Sequence, residues 1–209
     1  MLPWNYVLRP DLLEQLVNEL RHAERGRTIF VHGDGGNGKT MLVKAACNAV
    51  ADKFTDGVLW RTVSERRTGS VSPKDLDHLL ADLFVQLVEQ VTGERPALSG
   101  PSTVAALELG RKVAGRDYLL VADDLWTREA IVAFQQAAVA CVLVITTQLR
   151  GLVSPTMVEI PVGKMNRDEA EELLLKGLDA RPDRVEDLLA VTGTPPAPVL
   201  RRWLKRCHT

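Results

Sequence analysis

Eight consecutive residues, Gly33-Asp34-Gly35-Gly36-Asn37-Gly38-Lys39-Thr40, restrict the folds open to this chain more than anything else in it. Their spacing fits G-x-x-x-x-G-K-S/T, a loop whose main-chain N–H groups face phosphate oxygens. Glycine permits the tight turns and the close backbone approach that such a cradle needs. Lys39 brings a compact positive charge for the β- and γ-phosphates, and Thr40 a hydroxyl for Mg²⁺. The flanks suit the motif. Thr28-Ile29-Phe30-Val31-His32 is rich in β-formers, and Met41 to Cys47 reads as a helix whose positive end meets the anion. Strand, glycine loop and helix in that order separate the match from a chance glycine-rich turn. They make a nucleoside triphosphate or diphosphate the expected ligand.

The chain has 209 residues, enough to bury one full core and add a small second unit. Hydrophobic content of 45% and charged content of 25% are ordinary for a soluble globular protein. A formal net charge of −1 provides no global field toward nucleic acid or an anionic membrane, which argues against both as partners of this domain. Cys47, Cys141 and Cys207 are far apart among apolar neighbours and read as reduced core thiols, pointing to a cytoplasmic location. The first residues lack a basic segment leading into an apolar one, so a signal peptide is not expected. The longest apolar run, Ala137 to Ile145, is too short to span a bilayer.

Along the chain, strands alternate with helices. Pro10 to Arg25 is an amphipathic helix with Leu12, Leu13, Leu16, Val17 and Leu20 on one face. Gly57 to Val63 looks like a buried strand, Ser64 to Pro73 a polar loop, and Asp75 to Val91 a long helix. A Gly/Pro/Ser break precedes a shorter helix at Thr103 to Ala114, and a further helix is expected at Arg128 to Val139. Tyr118 to Asp124, Cys141 to Thr147 and Met157 to Pro161 are continuous or short apolar strands, the first two suited to a sheet buried on both faces. This alternation predicts an α/β doubly wound parallel sheet, with ligands at the carboxyl ends of its strands. After Pro161 only helices follow, at Arg167 to Leu178, Arg181 to Val191 and Pro196 to Cys207. The division expected is a nucleotide-binding α/β domain over 1–163 and a small helical subdomain over 164–209 packing on the nucleotide site.

Asp123 and Asp124 close the apolar run that begins at Tyr118, and they are the natural partners of the phosphate loop. One such carboxylate holds Mg²⁺, usually through water, and a second orients or deprotonates the attacking water. Side chains alternate along a strand, so only one of the two should face the metal. Asp123 is assigned to Mg²⁺ with Thr40, and Asp124 to the water, with the two roles exchangeable.

Taken in order, six segments resemble the NB-ARC domain of signal-transduction ATPases with numerous domains (STAND), the class of plant disease-resistance proteins and the apoptotic-protease activating factor. They are Val7-Leu8-Arg9, Gly33 to Thr40, Phe54 to Ser64, Tyr118 to Trp126, Val142 to Thr147, and Gly193-Thr194-Pro195-Pro196-Ala197. The resemblance implies a P-loop NTPase fold that binds ADP or ATP with Mg²⁺ and acts as a nucleotide-dependent switch. It further implies self-association, or contact with other domains of a larger signalling protein. Val7 and Arg9 are implied near adenine, with Pro195 packing on the base. Gly33, Gly35, Gly36, Asn37, Gly38, Lys39, Thr40 and Met41 surround the phosphates. Lys39 and Asp124 carry the catalytic roles.

Two departures qualify this. The family's sensor arginine, which reads the γ-phosphate, falls at Gln148, and a neutral amide cannot offset phosphate charge as a guanidinium does. Arg150 is either a substitute or a solvated loop charge. Weak ATPase activity, or binding without hydrolysis, is therefore expected. The family also continues into a winged-helix unit beyond the residues matched here, and His208 belongs to no such motif. Arg66 and Arg67 read either as arginines acting on a neighbouring subunit or as a solvated pair. The basic back of the last helix is read as a solvated face. A remodelling ATPase of the AAA+ kind is the rival function, and a small-molecule phosphotransferase fits the Asp-Asp-Leu-Trp segment less well.

Overall fold

A computed structural model of the chain describes residues 7–63, 72–151 and 157–175. Arg66, Arg67, Pro195, Cys207, His208 and the helices expected at Arg181 to Val191 and Pro196 to Cys207 lie outside the described residues.

Five parallel strands form the centre. They are β1 (Thr28–His32), β2 (Gly57–Thr62), β3 (Tyr118–Leu125), β4 (Val142–Thr147) and β5 (Met157–Pro161), in the spatial order β2-β3-β4-β1-β5. Alternation along β1 shows why helices must cover both faces. Ile29 and Val31 point to one side and Phe30 to the other, and all three are buried. On the first side α1 (Pro10–His22) and α2 (Lys39–Ala49) supply Leu16, Leu20, Leu42 and Val43. On the second, α3 (Pro73–Thr92), α4 (Ser102–Val113) and α5 (Arg128–Ala137) supply Leu80, Phe84, Leu109 and Phe134. Phe84 and Phe134 meet edge to face with centroids 5.0 Å apart.

Local signals set the helix ends. Ser72 caps α3 by accepting the Asp75 N–H, and Gly93 ends it in the left-handed region at φ 80°. Thr127 caps α5 through the N–H of Ala130. The first helix stops at His22, short of the expected Arg25.

The strand expected to be buried at 57–63 is instead the sheet's edge. Within β2 only Leu59 is buried, because β3 pairs one side and, among the described residues, no strand pairs the other. A helix α6 (Arg167–Leu175) follows β5. It adds a separate small cluster in which Val7, Met165, Ala170 and Leu173 are buried together.

Candidate nucleotide site

The phosphate loop leaves β1 at its carboxyl end and feeds α2. Gly38 occupies the N-cap of α2 at φ 88°, and no side chain caps that end. The start of α2 is therefore without a side-chain cap, at an end where the helix dipole favours negative charge. Gly33 is required for a different reason. With φ at 152°, a Cβ built there would stand 2.2 Å from the carbonyl oxygen of Val162. The loop is thus pressed against the chain leaving β5, and Asn37 locks the contact by donating from Nδ2 to the same carbonyl at 2.9 Å. Asn37 is 2% exposed, and its Oδ1 is buried without a partner.

Lys39 is 7% exposed. Its ammonium donates to the carbonyl oxygens of Gly33 at 2.8 Å and Asp34 at 3.0 Å. Thr40, in the first turn of α2, donates from Oγ1 to Oδ1 of Asp123 at 2.8 Å. This bond joins the loop to the acidic strand although β4 separates β1 from β3 in the sheet. Met41 is half-buried in the same turn.

The acid pair departs from regular strand geometry. Ala122 pairs with Ile145 and Leu125 with Thr147, so β3 carries one extra residue over this interval. Asp124 absorbs it, at φ 62°, and is the non-glycine residue with positive φ among the described residues. The simple alternation argument used to separate the two carboxylates therefore does not hold here, because a bulge re-aims the chain between them. Thr146 binds both residues. Its Oγ1 donates to Asp123 Oδ1 at 2.7 Å and accepts the Asp124 N–H at 2.8 Å. Thr62, on β2, donates to Asp123 Oδ2 at 3.3 Å. Neither threonine's role was foreseen. The Thr-Thr ending of β4 was visible in the sequence, but its partner depends on strand order.

Gln148 and Arg150 follow β4 and both reach the loop. A Cβ on Gly35 would lie 3.1 Å from the Gln148 amide nitrogen. Arg150 donates to Asp34 Oδ1 at 3.0 Å, in an exposed pair. Gly36 follows them in the loop at φ 87°.

Arg9 takes a position that composition and spacing did not suggest. Its guanidinium donates to the carbonyls of Gly163 at 3.0 Å and Lys164 at 3.1 Å, and to Glu169 Oε1 of α6 at 3.3 Å. Gly163 directly follows Val162, the anchor of Asn37. Arg9 thus fastens the start of the helical segment one residue beyond Val162, the loop's contact, and Val7 is buried in the α6 cluster.

The residues fit a nucleotide and Mg²⁺. A buried ammonium sits within an uncapped helix start, and Thr40 and Asp123 bring a hydroxyl and a carboxylate together. Mg²⁺ takes such oxygens alongside phosphate oxygens and needs no dedicated protein cage.

A parallel sheet in this order, with a phosphate loop after β1 and an acid pair ending β3, defines the P-loop NTPase fold. The chain belongs to the NB-ARC domain family, matching it over residues 9–180. Three of the solved structures that share the fold illustrate it. A STAND protein with a tetratricopeptide repeat sensor from Pyrococcus horikoshii is 18% identical, with a TM-score of 0.53 over 91% of this chain and 28% of its own. The Orc1 protein of Aeropyrum pernix, solved in complex with DNA, is 15% identical, with a TM-score of 0.65 over 94% of this chain and 59% of its own. Cdc6p of Pyrobaculum aerophilum is 16% identical, with a TM-score of 0.62 over 92% of this chain and 58% of its own. This chain therefore spans 28% to 59% of those chains, less than two thirds of each. A search among curated proteins gives no sequence match. No helix among the described residues is long and apolar enough to cross a membrane.

Proposed function

We propose that this chain is the ADP/ATP-binding switch domain of a STAND-type signalling ATPase, with slow hydrolysis. The observation that carries the reading is the 2.8 Å bond between Thr40 and Asp123, which brings the loop and the acidic strand into one site. Loop amides from Gly33 to Met41 bind the phosphates, and Lys39 turns from the loop carbonyls to the β- and γ-phosphates. Thr40 and Asp123 hold Mg²⁺, which neutralises phosphate charge when bound. Asp124 orients the attacking water. Turnover is slow because Gln148 contributes no positive charge beside the transferred phosphate.

A switch needs a contact that distinguishes ATP from ADP, since only differential affinity moves an equilibrium. Arg150, already on the loop at Asp34, is the cation assigned to that contact. Arg9 carries the response onward through Gly163, Lys164 and Glu169 to α6, and Pro195 covers the base. The helical subdomain over 164–209 moves with the bound nucleotide. In the full protein the output is self-association or contact with flanking domains in the cytoplasm. Gln148 also favours a second reading, a nucleotide-binding module that never turns over.

The test begins with the purified chain, denatured to release any bound nucleotide for identification by mass spectrometry. Calorimetry with ADP follows, on wild type and Lys39→Ala. Adenine nucleotide in the wild type and its loss in the variant support the reading. Neither released nucleotide nor ADP binding in the wild type overturns it. Single-turnover phosphate release separates the switch with slow hydrolysis from the module without any.

A further inference from the structure

We propose that Thr62, on the edge strand, is a positioning residue for the metal-holding carboxylate of Asp123, and that Trp60 reports its state. The proposal rests on the nucleotide-site reading above. The register of β2 and β3 places Thr62 beside Asp123, and the Val63 N–H donates to the Asp123 carbonyl at 2.8 Å. The two backbones are therefore locked at the rung where the carboxylate projects.

The two carboxylate oxygens are held differently. Oδ1 accepts from Thr40 at 2.8 Å and from Thr146 at 2.7 Å. Oδ2 accepts from Thr62 at 3.3 Å. A carboxylate held at one oxygen can still rotate about its terminal torsion, which is broad and roughly two-fold. A hydroxyl on the second oxygen limits that rotation. Once Thr40 serves the metal, Thr146 and Thr62 are the side chains left, among the described residues, to hold Asp123 at its two oxygens.

Trp60 makes this hydroxyl directional. Residues 60 and 62 share a face of β2, and the indole Nε1 donates to Thr62 Oγ1 at 3.3 Å. A hydroxyl has one proton to give, so an N–H pointing at its oxygen turns that proton toward Asp123. Lys44 of α2 lies 5.6 Å from the centre of the Trp60 ring. The indole is thus bracketed between the helix that starts at the phosphate loop and the residue that grips the acid. Its emission should follow charge placed at the site. Both 3.3 Å contacts are longer than those of Thr40 and Thr146, which suits fine positioning better than anchorage.

The experiment compares wild type, Thr62→Val, Thr62→Ser and Trp60→Phe in the full chain. ATP affinity is measured by calorimetry in EDTA and in Mg²⁺, and tryptophan emission is followed as Mg²⁺ is titrated into the ATP-bound protein. Thr62→Val should lose roughly three- to tenfold of the Mg²⁺-dependent tightening, the scale of one ordinary hydrogen bond and in keeping with a 3.3 Å contact, while its affinity in EDTA stays unchanged. Its Mg²⁺-induced emission change should vanish. Thr62→Ser should restore both, and Trp60→Phe should remove the emission change, assigning it to that ring. Thr62 is exposed, so the valine should leave the melting temperature nearly unaltered. A Thr62→Val protein matching wild type in both readouts, or a Thr62→Ser protein no better than valine, overturns the positioning role and leaves nucleotide binding intact. A wild type that binds no adenine nucleotide overturns the underlying reading, and this one with it.

Discussion

Thr146 Oγ1 donates to Asp123 Oδ1 at 2.7 Å, from a side on which the acid strand's neighbour is neither the phosphate-loop strand nor the edge. The same oxygen accepts the N–H of Asp124, whose left-handed backbone makes the bulge. One hydroxyl therefore fixes the direction of the first carboxylate and the backbone of the second. Replacing Thr146 with valine leaves the Asp124 N–H without its partner and removes one of the two bonds to Asp123 Oδ1, leaving that of Thr40. The expected cost is about 1–3 kcal/mol in urea unfolding, with Thr146→Ser recovering most of it. A valine variant as stable as wild type would show that water replaces the hydroxyl freely.

Gly33 admits no side chain. Alanine there would place a Cβ 2.2 Å from a backbone oxygen, at a φ that L-residues avoid. Gly33→Ala should push the loop away from Val162, break the Asn37 bond, and lower ADP affinity at least tenfold by calorimetry. Gly38→Ala is strained through φ alone and meets no atom within 4 Å, so it should be the milder of the two.

The loop after β4 makes an opposite pair of predictions. If Arg150 reads the γ-phosphate, Arg150→Ala should weaken ATP several-fold more than ADP. Gln148→Arg should strengthen ATP over ADP and raise phosphate release, because a guanidinium stabilises the charge that an amide cannot. Competition binding with both nucleotides measures the ratio. Equal loss of ATP and ADP in Arg150→Ala would leave only an exposed ion pair to Asp34, of small worth.

Two thiols give a pH prediction. Burial pushes Cys47 up to about 11 and Cys141 up to about 12, against an ordinary 9.0. A pKa raised on folding means that the fold favours the protonated thiols. That contribution is fully present below pH 9 and is lost as pH climbs through 11 to 12. Iodoacetamide at pH 8 should leave both unlabelled in the native protein and label both in urea, as read by peptide mass spectrometry. Native labelling of Cys141 at pH 8 would contradict its burial at 1% exposure.

A tether between helices gives the acid-side counterpart. Asp77 of α3 accepts from both the N–H and the hydroxyl of Ser102 at the start of α4, and these bonds hold its carboxyl below 3.8. A depressed pKa stabilises the fold above the ordinary value, and the effect is lost as pH falls through the lowered one. Asp77→Asn should therefore weaken the protein at pH 7 and flatten the acid limb of its stability curve below pH 4, followed by urea unfolding.

The glycine loop, the strand before it, the helix after it and the apolar run ending in two aspartates were all legible in the residue order. Each is a local pattern: glycine and lysine at fixed spacing, or continuous apolarity where a strand is covered on both faces. The edge position of β2 was not legible, because strand order depends on which apolar surfaces meet, and Gly57 to Val63 reads alike in either place. Arg9 shows the same limit. Its motif was recognisable, but its bonds to Gly163, Lys164 and Glu169 span more than 150 positions of chain.

The sequence by itself determined that a phosphate cradle, a hydroxyl and an acid pair exist here, since their chemistry follows from residue type and short spacing. Only the tertiary structure decided how they are held. By inserting β4 between the loop strand and the acid strand, the fold brings Thr146 to Asp123 and Asp124, and by pairing β2 beside β3 it brings Thr62 to the other oxygen. Such contacts join residues far apart in the chain, and only sheet pairing and core packing can set their distances.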